Sequence, residues 1–318
     1  MFAITAFGPF QGVEANPSDA LARWLAASAD SSGDGGGGGG GGGGDGGGGG
    51  GGAGGGGAGG GDERDDDAAI PAGCILHRGC RRPARLRLPG GVSASLLACD
   101  TLAVSARAAD AWLTAALPGL RRACGTAPLV LLHLGVAPNA SSLRLEGRAA
   151  DEADFRCADA DGWCAAGVAI SAAALGLHAW GSSAGGGDEP SPSAPGPRWR
   201  ATSIDVAGLA ARLTAAGHDV RVSDDAGRFI CNWIFYRSLE AGSGSSSGGG
   251  GGGSGGGGSS SSGGSGSSGG GADGGRAGGV ASLFVHVPPF AAVPEQRQRA
   301  FLLDLLSALS VERGGGDV

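Results

Sequence analysis

Apolar residues recur along this chain in two alternating rhythms, one strand-like and one helical. Phe2–Phe7 is a short apolar run that ends in Gly8-Pro9 and predicts a strand. Asn16-Pro17-Ser18 opens a helix in which Leu21, Trp24 and Leu25 fall at helical spacing. Ser93–Ala98 reads as a strand and Leu102–Leu117 as an alanine-rich helix closed by Pro118-Gly119. Pro128–Leu134 is continuously apolar and ends in Gly135, the pattern of a central parallel strand buried on both faces. Ile204–Ala216 predicts a helix with Val206, Leu209 and Leu213 on one face, ended by Gly217. A short strand, Val220–Val222, leads into a helix-like run beginning near Cys231. Leu283–Val287 is a further strand and Glu295–Val311 a final amphipathic helix. Strands separated by helices predict an α/β fold, a three-layer α/β/α sandwich with a mostly parallel central sheet. Sites in such folds gather at the carboxyl ends of the strands, where Gly8, Gly135 and His286 fall.

Composition changes the domain count. A chain of 318 residues implies about two domains, but 71 residues are Gly and most lie in a few tracts. Residues 33–61 are nearly all Gly, 181–197 are rich in Gly, Ser and Pro, and 242–279 are Gly and Ser with almost nothing apolar. Such sequence buries too little surface to offset its ordering entropy and predicts flexible inserts. Setting them aside leaves roughly 230 residues, enough for one domain spanning 1–318 with a sizeable core.

Charge and cysteine content narrow the partners. The net charge is −7, no Lys is present, and no basic face or aromatic-basic interleaving occurs, so nucleic acid is not an expected partner. An acidic surface does not suit an anionic membrane, and no apolar run approaches the ~20 residues of a membrane span. A strand-like run opens the sequence without a basic flank, so no targeting peptide is expected. Seven cysteines, an odd number, argue against a disulfide framework. Cys74 with Cys80 and Cys157 with Cys164 are spaced too widely for zinc pairs, so no metal is expected. Reduced thiols in the cytosol are the expectation.

Candidate chemistry centres on two residues. Cys231 follows a glycine turn and opens a helix-like run, where the macrodipole and unpaired N–H groups favour the nucleophilic thiolate. His286 sits at the end of the strand Leu283–Val287, ahead of Pro288-Pro289. A cysteine that can be activated and a histidine that can activate it imply covalent acyl transfer. By contrast, His133 inside its apolar run reads as core packing. His77, His178 and His218 read as surface residues, and the other six cysteines as structural.

Three blocks resemble one family. Ala6-Phe-Gly-Pro-Phe-Gln-Gly12 with Asn16-Pro-Ser18, Ala226-Gly-Arg-Phe-Ile-Cys-Asn232, and Phe284-Val-His-Val-Pro288 are similar to pyroglutamyl peptidase I (pyrrolidone carboxyl peptidase). The segment Asp151–Trp163 is similar to the form in plant members. The resemblance spans nearly all of the chain outside the Gly tracts. It implies a phosphorylase/hydrolase-like sandwich and a cysteine peptidase that removes an N-terminal pyroglutamyl residue from small peptides, without a cofactor. It also implies a triad in which Cys231 attacks, His286 moves the proton and Glu146 orients the imidazole. Glu146 itself lies in sequence that reads as a polar loop. By the same resemblance Phe7, Phe10, Phe229 and Ile230 line the pocket for the lactam ring, with Asn16 among the substrate-binding residues, and Arg156 helps to polarise the site. Gln11 stands where many members have Gly, as it does in plant-like members, and a positive φ there would be strained. Alternatives are an inactive relative acting as a binding protein, or another amide or ester hydrolase with the same triad. A nucleoside phosphorylase-like enzyme would require a phosphate-binding loop, which the sequence lacks. Oligomeric state is not readable.

The tracts generate a prediction. Loop closure costs about 0.6 kcal/mol per doubling of length. Shortening 242–279 to about eight residues should therefore stabilise the fold by roughly 1–1.5 kcal/mol and leave turnover within a few-fold. Melting temperature and turnover of the shortened chain check this, and a large fall in either would contradict the linker reading.

Overall fold

The computed structural model describes residues 1–30, 83–176, 198–243 and 279–314. Residues 33–61, 181–197 and 244–278, with Cys74, Cys80, His77 and His178, lie outside them. A seven-stranded sheet organises the rest. Its strands are β1 (Phe2–Phe7), β2 (Ala84–Arg87), β3 (Ser93–Leu102), β4 (Leu129–Val136), β5 (Leu143–Glu146), β8 (Val220–Ser223) and β9 (Val280–Val287). In space they run β2-β3-β1-β4-β9-β5-β8. The pairs β3/β1, β1/β4, β4/β9 and β5/β8 are parallel. Only the edge strand β2 and the β9/β5 junction are antiparallel. A separate two-stranded ribbon joins β6 (Arg148–Ala150) to β7 (Trp199–Ala201).

Alternation along the central strands feeds two cores, one on each face. Phe2, Ile4 and Ala6 enter one core and Ala3 and Phe7 the other; Val130, Leu132 and Leu134 divide from Leu129 and Leu131 in the same way. The first core is covered by α1 (Pro17–Asp30), α4 (Val206–Ala215) and α6 (Glu295–Gly314), through Leu21, Leu25, Leu209, Leu213, Leu305 and Leu309. The second is covered by α2 (Ala106–Cys124), α3 (Ile170–Gly176) and α5 (Ile230–Gly242), through Trp112, Leu117, Ile170, Trp233 and Phe235. This is the three-layer sandwich expected from the sequence. Among the described residues no helix is long and apolar enough to cross a membrane.

Several local expectations need correction. The strand expected over Ser93–Ala98 continues to Leu102, in register with Phe7, and the helix starts only at Ala106. Ser105 caps it, its Oγ accepting the Ala108 N–H at 3.2 Å. Pro118-Gly119 does not close that helix, which runs on to Cys124. Pro118 and Thr114 are both exposed, so the carbonyl deprived of its partner faces water, while Leu113, Leu117 and Leu120 stay buried against the core. The strand β5 and the ribbon were not anticipated. The Gly/Ser tract also has ordered ends. Gly242 closes α5 where a Cβ would stand 2.9 Å from the Val280 carbonyl oxygen, and the Gly279 carbonyl accepts the Leu129 N–H at 3.2 Å. His218 is not a plain surface residue; its side chain is 11% exposed, with Nε2 2.8 Å from Asp304 and its ring edge-on to Phe301.

Candidate active site

At the carboxyl ends of the parallel strands lies a cleft of about 450 Å³. Cys231 reaches it from the first turn of α5. The turn ahead of that helix depends on Gly227, at φ +82°, and on Asp225, whose Oδ1 accepts the Gly227 N–H at 3.0 Å. Phe229 is the N-cap and has no acceptor to offer, so no side chain caps the helix. Its first N–H groups, those of Ile230 and Cys231, are left to whatever enters the cleft. The neighbouring residue, Asn232, is fully buried and ties the helix to the chain that follows Glu146. Its Oδ1 accepts the Ala150 N–H, and its Nδ2 donates to the carbonyls of Ala150 and Glu152, each at 2.9 Å.

His286 arrives on β9, whose register places it beside Gly135 of β4 on one side and Arg144 of β5 on the other. Glu146 lies opposite Phe284 and therefore diagonal to His286 on the same face. Its Oε1 stands 2.7 Å from His286 Nδ1. The residue expected in a polar loop is thus the end of a strand, with 0% exposure. With Nδ1 taken by Glu146, Nε2 is the nitrogen left to face the thiol. Burial works against the charged imidazole, but the Cys231 thiolate and the Glu146 carboxylate outweigh it and push the His286 pKa up to about 9. His133 is the contrast. It is equally buried but meets only the Thr5 hydroxyl at 2.7 Å, and burial lowers its pKa to about 3. It stays neutral in the core, as expected.

All the pocket residues expected from the sequence border the cleft: Phe7, Phe10, Asn16, Arg156, Phe229 and Ile230. Glu146 does not; it stands behind His286. Phe229 is held by rings on both sides, with Phe10 at 5.7 Å and Phe155 edge-on at 4.9 Å between centroids. Trp163 and Trp233 extend this packing behind it. The Arg156 guanidinium lies 5.8 Å above the Phe229 ring. Asn16 borders the cleft, yet its amide serves the chain itself: Nδ2 donates to the Gly8 carbonyl at 3.0 Å and Oδ1 accepts from Ser18. Gln11 does adopt a positive φ, +26°. Its turn is closed by paired backbone bonds between Phe10 and Val13, and its Nε2 donates to the Ala158 carbonyl at 3.2 Å. Those bonds hold the side chain in the strained position.

Gly135 and Arg144 flank the site at positions that the motifs did not announce. A Cβ built at Gly135 would lie 3.0 Å from Cys231 Sγ and 2.6 Å from Phe284 Cζ, so the thiol sits where any other residue has a side chain. The signal was available, since an apolar strand ending in Gly marks a close approach. Among the described residues no group of three His, Cys, Asp or Glu could hold a metal ion.

Comparison with known proteins gives the fold a precedent. The chain is similar to the pyrrolidone carboxyl peptidase from Thermococcus litoralis, with a TM-score of 0.53 and 14% identity over 99% of this chain and 96% of that one. It is also similar to the pyrrolidone carboxyl peptidase from the hyperthermophile Pyrococcus furiosus, with a TM-score of 0.52 and 15% identity over 98% of each. No family model matches the sequence, and no curated protein matches it. At these identities the likeness is one of fold: the chain has the mixed α/β sandwich of the pyrrolidone carboxyl peptidases.

The crowding at Gly135 is testable without a substrate. Gly135→Ala forces either Cys231 or Phe284 to move and should destabilise the protein by about 1–3 kcal/mol. The rate at which iodoacetamide alkylates Cys231 should change with it. Unchanged melting temperature and alkylation rate together would contradict the close approach.

Proposed function

We propose that this chain is a cysteine peptidase of the pyroglutamyl peptidase I family, plant-like in its Asp151–Trp163 segment, which removes an N-terminal pyroglutamyl residue from peptides. The observation that carries the reading is the sequence of contacts from Glu146 through His286 to Cys231, set at a helix N-terminus in an aromatic cleft. The sandwich fold and the three sequence blocks agree with it. Cys124, Cys157, Cys164 and Cys231 are free thiols, which fits a reducing compartment such as the cytosol.

In the proposed reaction the His286 imidazolium and the Cys231 thiolate form the resting pair. Sγ attacks the pyroglutamyl carbonyl carbon, forming a C–S bond while the carbonyl electron pair moves onto oxygen. The first-turn N–H groups of α5 receive that oxyanion, aided by Arg156. As the C–N bond breaks, His286 gives its proton to the leaving amine. Water then attacks the thioester, His286 takes its proton, and the thiolate leaves free pyroglutamate. Glu146 holds the ring with Nε2 turned to the sulfur. The lactam ring is flat, small and uncharged, which suits walls of Phe7, Phe10, Phe229 and Ile230. Prolyl substrates lack the ring carbonyl and would leave polar groups unpaired at about 1–3 kcal/mol each.

The test is turnover of a pyroglutamyl-coumarin amide. Wild type should release fluorophore, and Cys231→Ala should lose on the order of a thousandfold or more while keeping its fold, because the buried Glu146–His286 pair remains intact. Glu146→Gln should lose less. A prolyl-coumarin amide should be a poor substrate. Wild-type rates in Cys231→Ala, or equal kcat/KM for the prolyl and pyroglutamyl amides, would overturn the reading.

A further inference from the structure

The proposed chemistry leaves one end of the cleft without a role. In strand order the cleft passes from Phe7 and Phe10 beside β1, across Val136 on β4 and His286 on β9, to Arg144 on β5. Arg144 is the direct cross-strand partner of His286. Leu143 and Leu145 enter the core on the opposite face, so Arg144 shares the face of Glu146. It is half-buried and borders the cleft, and among the described residues it makes no ion pair and no side-chain hydrogen bond.

The other arginines in the cleft have contacts of their own. Arg228 pairs with Glu152 at 2.7 Å and with Asp225 at 2.6 Å. Arg156 stacks on Phe229. Asp154 sits in the loop whose N–H bonds the Arg228 carbonyl at 3.1 Å, on the side of the cleft that leads into α5. Arg144 therefore stands beside a second basic group, the His286 ring, and among the described residues no carboxylate pairs with it; Glu146, two residues on and on the same face, is engaged by His286 Nδ1. Asn139 borders the same part of the cleft and adds an amide.

We propose that Arg144 forms an anion-binding subsite for the leaving peptide, so that favoured substrates carry a carboxylate on the residue after the scissile bond. This rests on the peptidase reading above. With the lactam ring in the aromatic end and the carbonyl at Cys231, the leaving amine points along the cleft towards β5. A carboxylate there comes from one of two sources, the C-terminus of a pyroglutamyl dipeptide or an acidic side chain in a longer peptide. Either is recognised by the planar guanidinium fork.

The experiment compares kcat/KM for pyroglutamyl-alanine, pyroglutamyl-alanine amide and pyroglutamyl-glutamate amide, in wild type, Arg144→Gln and Arg144→Lys. Wild type should favour at least one of the two acids over the neutral amide by about five- to tenfold at low salt. The ratio should fall to near one in Arg144→Gln and be partly kept in Arg144→Lys. Which acid is favoured identifies the source of the carboxylate. Equal ratios in wild type and Arg144→Gln would overturn the subsite alone, because the neutral amide would still be cleaved. Failure to cleave any of the three would overturn the subsite and the peptidase reading together.

Discussion

A carboxylate shut away from water needs a cation, and His286 is the one that Glu146 has. The two meet at 2.7 Å with Glu146 wholly buried. Breaking such a pair by removing one member costs about 3–5 kcal/mol, because the remaining charge is left without compensation. That demand fixes which ring nitrogen faces the carboxylate, and so which one faces the sulfur. It also helps to keep the ring protonated against its own burial. The comparison with His133 isolates the cause. Both histidines are buried on parallel central strands, facing the same core, but His133 has a hydroxyl for a partner and its pKa falls instead of rising. The neighbouring charges, not burial, decide between an inert ring and one that can deliver a proton.

The sheet topology exists in a form that makes this pair possible. The two residues lie on one diagonal of the β9/β5 pair, with Glu146 set back from the cleft behind His286. The inversion at the β9/β5 junction sets the start of β5 beside the end of β9, with Arg144 opposite His286, and carries Glu146 back to Phe284, one diagonal step from His286. On the other side, the bare Cα of Gly135 admits Cys231 to within van der Waals range of the sheet. Asn232 locks the Cys231 helix to the segment that follows Glu146, and the Phe155–Trp163–Trp233 packing holds Phe229 in place. The groups that meet in the cleft are therefore placed before any ligand arrives, which is the condition for electrostatic stabilisation in a transition state.

Much of this was legible in the sequence, for identifiable reasons. The central strands were continuous apolar runs, and the helices showed three- and four-residue spacing with Gly or Pro punctuation. Cys231 and His286 stood at element ends that any α/β fold brings to one rim. Glu146 was placed in a polar loop because Leu143-Arg-Leu-Glu146 is too short for its alternation to outweigh its polar neighbours. The burial of that carboxylate is a tertiary effect, set by β9 and invisible along the chain. The extent of α2 was misjudged because a proline is a strong local stop, yet here its missing bond faces water while the buried side of the helix continues. Arg144 drew no notice because an isolated arginine is ordinary; only its register beside His286 gives it meaning.

The proposed chemistry depends on the charge of His286. Nitrogen NMR of the labelled ring, followed across pH in wild type and in Cys231→Ala, reads that charge directly. The imidazole should be doubly protonated at neutral pH and lose its proton near pH 9 in wild type, and at a lower pH once the thiolate is removed. A ring that is neutral at pH 7, as His133 is, would contradict the thiolate–imidazolium pair on which the proposed chemistry depends.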